Sequence, residues 1–401
     1  MVSGRLLPLA ALAALVSLAA SGSAQAEPLR LRADVFAQTP STTGFVMLQA
    51  EARERKPVLV DAEALVWTGV GLDARSTAKP MGEAVVASVR VRDPDHGLEA
   101  RFGRLLYSGG AVRPMHFDGA VLSVRSPTNA ALDVFGGVPV LAEFQGRSFD
   151  WVVGGRTRQA IGTVANVGLS YFQQRDTGRI ARSELGLEGS LFPVKALAIT
   201  STAAIDTSRR GLTEARVSVV VHDSIDRLEV FGVRRNASLM LAATSLFAAL
   251  GSYDSDSVGT TGFWRVAPRL DLLASASVDR VSQHAGASQS VRAELRLDDD
   301  GRGAIGVDAR RVSMPDASWT GGRGWLRVPI VSKLSASTEL EVAVPDNPRE
   351  RGALWPWWLI GIRYLPTSFL ETAAAFETSS TPLYARSFGG LLRVSGTWGT
   401  P

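Results

Sequence analysis

In SVRAELRLDDDGRGAIGVDARRV, residues 290–312, Val291, Ala293, Leu295 and Leu297 alternate with Arg292, Glu294, Arg296 and Asp298. After an Asp/Gly turn, Ile305, Val307 and Ala309 alternate with Gly306, Asp308 and Arg310. A period of two belongs to extended strands, whose successive side chains leave on opposite faces. The stretch therefore reads as a hairpin with one apolar and one charged face. The pattern recurs along the chain. Leu29, Leu31, Ala33 and Val35 oppose Arg30, Arg32 and Asp34; Val60, Ala62, Ala64 and Val66 oppose Asp61 and Glu63; Leu185, Leu187 and Leu191 oppose Glu184 and Glu188. Turn clusters such as RDPDHG, RSPTNA, DTSRRG and PDNPRERG separate the segments. No helical period of useful length, fixed-spacing repeat or composition boundary interrupts them. The least regular parts, Gly109 to Met115 and Ala237 to Val258, are candidates for long outer loops or an inward-folded constriction.

Alternating segments of about ten residues between turns are the pattern of a transmembrane β-barrel. Residues 27–401 are thus expected to form a single closed antiparallel barrel. The segments number about 18–22, with 18 preferred, and an even count is expected. A barrel that wide cannot fill its interior with side chains, so it holds water or a plug. Charged residues then line the lumen and apolar ones meet lipid. A soluble two-sheet sandwich also alternates, with its apolar face inward, but this length would demand a very large core or several linked domains. Trp67, Trp151, Trp264, Trp325 and the WPWW cluster (Trp355, Trp357, Trp358) lie near inferred strand ends, where an interfacial girdle would place them.

Composition narrows the picture. MVSGR, a short apolar run and Ala24-Gln25-Ala26 read as a secretory signal peptide over residues 1–26. There is no cysteine, which removes disulfides, lipid attachment and thiolate metal sites. The net charge of +4 is too small to suggest a nucleic-acid partner. Of 43 basic residues all but Lys56, Lys79, Lys195 and Lys333 are arginine. A coding preference would explain this, as would the match of the planar guanidinium to carboxylate and sulfate groups. The longest apolar stretch, Leu239 to Leu250, is well short of the ~20 residues of a helical span. The four histidines show no metal-ligand spacing, and no cofactor is implied. Asp298–Gly301 and Tyr253–Asp256 lack the ligand positions of a full calcium loop and read as solvated turns. No G-x-S-x-G elbow is present, so passage rather than catalysis is expected; a barrel enzyme or an adhesin is the lesser alternative.

Over the whole mature chain the pattern resembles the bacterial outer-membrane β-barrel class. Leu392, Val394, Gly396 and Trp398 match its terminal alternating strand, although Gly399-Thr400-Pro401 trail after it. Residues 100–137 are similar to the stretch of alginate-export-type porins in which an R-x-G-R strand leads through a glycine loop to an Asp-Gly hairpin. Arg101, Gly103, Arg104, Asp118, Gly119 and Phe135-Gly136 carry the likeness; Leu105 stands where glutamine is usual. The resemblance implies outer-membrane lipid, the barrel-insertion machinery and a periplasmic polysaccharide-export protein as partners, and an anionic polysaccharide as cargo. The alternative is general diffusion of small solutes. By alternation Arg30, Arg32, Arg101, Arg292, Arg296, Arg323, Trp325, Arg327, Arg363 and Arg393 are expected to line the lumen, with Arg104 added from the motif. GGRGWLRV sets Trp325 between Arg323 and Arg327 on one face, an arrangement suited to stacking on a sugar ring beside its acid group. Either these arginines form a ladder of weak cargo contacts, or they pair with lumen acids.

Overall fold

The structure, a computed structural model, describes residues 27–39, 43–54, 58–71, 81–140, 150–240, 254–282, 284–315, 318–347, 354–380 and 387–398. The expected signal peptide, the end of the Leu239–Leu250 stretch and the Gly399–Pro401 tail lie outside these residues.

Each alternating segment forms a strand. The first are β1 (Glu27–Thr39), β2 (Thr43–Glu54), β3 (Leu59–Gly71), β4 (Met81–Asp93), β5 (Leu98–Tyr107), β6 (Met115–Arg125) and β7 (Ala130–Pro139). Next come β8 (Trp151–Ile161), β9 (Ala165–Asp176), β10 (Arg179–Val194), β11 (Leu197–Asp206), β12 (Gly211–His222), β13 (Arg227–Asn236) and β14 (Asp254–Ala267). The last are β15 (Leu270–Val281), β16 (His284–Arg296), β17 (Ala304–Ser313), β18 (Trp319–Val331), β19 (Leu334–Pro345), β20 (Trp355–Tyr364), β21 (Leu370–Ser379) and β22 (Ser387–Trp398). A short helix, α1 (Ala237–Met240), follows β13.

Every strand pairs antiparallel with its neighbours in sequence, and β1 pairs with β22 from Leu31↔Trp398 to Thr39↔Gly390. The result is a closed barrel of 22 strands, at the top of the expected range rather than the preferred 18. Some turns are only two residues long, Lys195-Ala196 and Pro268-Arg269 among them. Closure leaves no open edge, the condition for a sheet to sit in lipid. No helix among the described residues is long and apolar enough to cross a membrane.

The two faces follow the alternation. Leu106, Leu122, Leu187, Val258, Val278 and Val307 are large, apolar and strongly exposed, and all share the outward phase. Asp34, Glu184, Asp206 and Phe172 are buried on the opposite phase. In the hairpin of residues 290–312, Val291, Leu295, Ile305 and Val307 point outward, while Arg292, Glu294, Arg296 and Asp308 point to the lumen. Inside the seam, Ser395 donates to Asp34 (2.5 Å) and Arg32 Nε donates to the other oxygen (2.8 Å). With an even strand count both described ends, Glu27 and Trp398, lie at one rim, here the terminal rim. The opposite, distal rim carries the connections 108–114, 140–150 and 237–253.

Candidate functional site

The first irregular stretch folds inward, and α1, the described start of the second, is tied to it. Between β5 and β6, Val112 packs in an apolar cluster with Leu105, Tyr107, Met115, Phe117, Val121, Phe135, Val152 and Phe172. These side chains lie on the inward phase of β5 to β9, so the segment 108–114 lies against the inner wall. Gly186 of β10 makes the approach feasible: a Cβ there would meet Ala111 Cβ at 2.9 Å and Ser170 Oγ at 2.5 Å. Arg113 forms an ion pair with fully buried Glu184 on β10 and donates to the Leu239 carbonyl in α1 (3.0 Å). Arg209, from the β11–β12 turn, is paired with Asp206 (2.7 Å) and donates to the carbonyls of Ser238 (2.9 Å) and Leu239 (2.8 Å). Two arginines therefore tie the segment and α1 to acids of the wall, and both bind one carbonyl.

Of the arginines expected in the lumen, Arg30, Arg32, Arg101, Arg292, Arg296, Arg323, Arg327, Arg363 and Arg393 lie on the inward phase. Most meet acids. Arg101 Nε bonds Glu99 (2.8 Å), which also takes Arg90 (2.5 Å); Arg292 meets Glu294 (2.5 Å); Arg323 meets Glu339 (2.6 Å). Arg363 (2.6 Å) and Arg393 converge on Glu371. Arg296 Nη2 donates to the Pro268 carbonyl (2.8 Å) and lies 3.6 Å from Asp271. Pairing with lumen acids, one of the two readings of these arginines, describes most of the wall geometrically.

Arg104 is a correction. It lies three residues beyond Arg101, an odd spacing, and no bulge interrupts β5 between them. Its side chain shares the outward phase of Phe102 and Leu106 and forms a two-pronged pair with Asp118 (2.8 and 2.9 Å). The tryptophan girdle is a second correction. Trp151, Trp264 and Trp358 face outward, but Trp67, Trp325, Trp355 and Trp357 fall on the inward phase of their strands. In WPWW, neighbours in a strand cannot share a face, so Trp357 donates to Glu377 (3.2 Å) inside while Trp358 donates to Thr338 (3.0 Å) outside.

Trp325 does stand between guanidiniums, though not the expected pair. Arg292, from β16 two strands away, lies 4.5 Å from its ring centroid and Arg323 lies 5.9 Å away. Gly306 separates them: a Cβ there would meet Trp325 at 2.0 Å, so only glycine lets the indole lie over β17 toward Arg292. Arg327 instead donates to the carbonyls of Arg302 and Gly301 (3.1 Å each) in the terminal-rim turn. The register then sets Arg292, Asp308, Arg323, Glu341 and Trp357 side by side across β16 to β20. Sequence reasoning missed Arg113 and Arg209; the irregularity of their surroundings was legible, but the identity of their acids was not.

No protein-family model matches the chain, nor does any curated protein. Solved structures do. The P pilus usher (PapC) translocation pore superposes with a TM-score of 0.52 at 8% identity, covering 93% of this chain and 99% of that one. An E. coli P pilus tip assembly intermediate containing PapC gives 0.56 at 10% identity, with 93% and 61% covered. OccK5 (OpdH) of Pseudomonas aeruginosa gives 0.41 at 12% identity, with 93% and 97% covered. The fold is that of an outer-membrane β-barrel, similar to the usher pore.

Proposed function

We propose that the protein is a constricted channel of a Gram-negative outer membrane, delivered by a signal peptide and the barrel-insertion machinery, and that an acidic polysaccharide leaves through it. The row Arg292, Asp308, Arg323, Glu341 and Trp357, with Trp325 beside it, carries the reading. A guanidinium held by a wall carboxylate can exchange that partner for a cargo carboxylate with little net change, because exposed pairs contribute only about 0–1 kcal/mol. Indole faces add contacts to the apolar faces of sugar rings. Many weak contacts suit a moving polymer, which must bind without stalling. A periplasmic polysaccharide-export protein would feed the terminal rim.

The second reading, diffusion of small solutes, is favoured by the same pairing, since a wall of matched charges sets up little anion field. Single-channel recording in planar bilayers separates the two. Oligouronates are expected to interrupt the current transiently, and neutral oligosaccharides of equal length to do so far less. Equal interruption by both, or by neither in an open pore, would leave the diffusion reading standing.

A further inference from the structure

Where the inward-folded segment, α1 and the wall meet, three guanidiniums share two carboxylates. Arg182 lies on the inward phase of β10, opposite Gln174 and two residues from Glu184. Arg113 of the segment and Arg209 of the β11–β12 turn are close enough for their charges to act on it. Glu184 and Asp206 face each other across β10 and β11. Each already has its own arginine: Arg113 is paired with Glu184, and Arg209 with Asp206 (2.7 Å). Arg182 has no such partner. It forms no ion pair or hydrogen bond with any described residue, Asp176 of the neighbouring β9 included, and its Nε is buried.

Other buried polar atoms at this junction are also unmatched. They are Nε of Arg113, Oε2 of Glu184 and Oγ1 of Thr213. Thr213, only 1% exposed, sits in the bulge of β12 two residues from Gly211. Gly211 pairs with Asp206 and lies under α1, since a Cβ there would meet Leu239 Cδ1 at 2.4 Å. Burying a guanidinium without a counter-charge is unfavourable, and two like charges beside it raise the cost. Arg182 makes no bond that would hold the wall together, so packing of the fold alone does not account for a cation here.

We propose that this junction binds a small oxyanion, with the oxygens of a sulfate, a phosphate or a carboxylate, against Arg182, and that the anion locks the segment and α1 to the wall. A guanidinium fork matches a pair of oxyanion oxygens. An oxyanion beside Arg182 also offsets the repulsion from Arg113 and Arg209, which hold α1 through the Leu239 carbonyl. The Thr213 hydroxyl supplies a further donor. The inference needs the barrel and its inward-folded segment, and it holds whatever the channel carries.

The test uses the full chain folded in detergent, with folding read by the heat-dependent gel shift and unfolding by tryptophan fluorescence. Sulfate or glucuronate at low millimolar concentration is compared with chloride at equal ionic strength, which separates binding from general salt effects. The parent's unfolding midpoint is expected to rise with the oxyanion, as for any ligand of the folded state. In V112C the thiol is expected to react more slowly when the oxyanion is present. R182Q should need about tenfold more oxyanion for either response, the loss of one charge-assisted bond. Without oxyanion R182Q should unfold no earlier than the parent. A response to sulfate alone supports an inorganic ligand, and a response to glucuronate as well supports a carboxylate of a passing sugar chain. No response in the parent overturns the proposal. So does an equal response in the parent and R182Q, which would mean an adventitious ion only. A midpoint lowered by the same amount in R182Q at every oxyanion concentration also overturns it, since that marks a packing role. If R182Q does not fold, R182K keeps the charge without the fork and should likewise need more oxyanion; an unchanged requirement overturns the proposal.

Discussion

Replacing Arg113 by glutamine should release the constriction. Arg113 is mostly buried and Glu184 fully so, and removing one partner of a buried pair costs up to about 3–5 kcal/mol, of which the neighbouring Arg182 offsets a part. The bond to the Leu239 carbonyl is lost with it. The remaining apolar anchor is Val112, whose burial is worth about 1.5–3 kcal/mol. The loss exceeds the anchor, so the equilibrium between a wall-bound and a detached segment should shift by a factor on the order of 10²–10³. Single-channel conductance should rise, with larger fluctuations. The chain has no cysteine, so Val112→Cys supplies a single thiol whose reaction with a charged reagent should be slow in the parent background and fast beside R113Q. Because E184Q removes the stranded charge, the double variant R113Q/E184Q should detach less than R113Q alone, by a coupling of about 0.5–3 kcal/mol. Unchanged conductance in R113Q, together with unchanged labelling of the thiol introduced at position 112, would refute the latch.

Charging the outward phase should be costly: Val307→Arg, at a position 60% exposed, is expected to destabilise the inserted barrel by about 2–4 kcal/mol near mid-membrane, while inward Asp308→Asn changes stability far less. Urea titration in vesicles measures both. Trp325→Ala should free Arg292 and Arg323 from the indole and shift ion preference toward anions, read as a reversal-potential change. Arg327→Gln, which loses only contacts to turn carbonyls, should leave transport near the parent level; complete loss in a correctly inserted barrel would replace the distributed wall with a discrete gate. In the β12–β13 turn, the backbone N–H groups of Asp226 and Ile225 hold the Asp223 carboxyl below the usual carboxylate range. Its contribution is therefore present above the unfolded-state pKa of about 3.9 and is lost as pH falls through the lower folded value. Thermal stabilities of the parent and Asp223→Ala should converge in that acid window, and a gap persisting below it would refute the assignment.

Alternation by itself determined the strands, their faces and the barrel class, because a period of two is a local property of each segment and needs no knowledge of its neighbours. It assigned Arg292, Arg296 and Asp308 to the lumen and Leu295 and Val307 to lipid, and applied strictly it also places Arg104 outside and splits Trp357 from Trp358. In both places parity, a property of the backbone, overrides what a short motif or a cluster of like residues suggests. The remaining features depend on pairings between distant segments. The approach of Arg292 to Trp325 follows from the register of β16, β17 and β18 and from the missing side chain of Gly306 between them. Arg113 and Glu184 are 71 residues apart, and no local pattern in either segment names the other. Only the pairing of β5 through β10 into one curved inner wall brings an irregular segment within reach of a buried acid on a strand so distant in sequence.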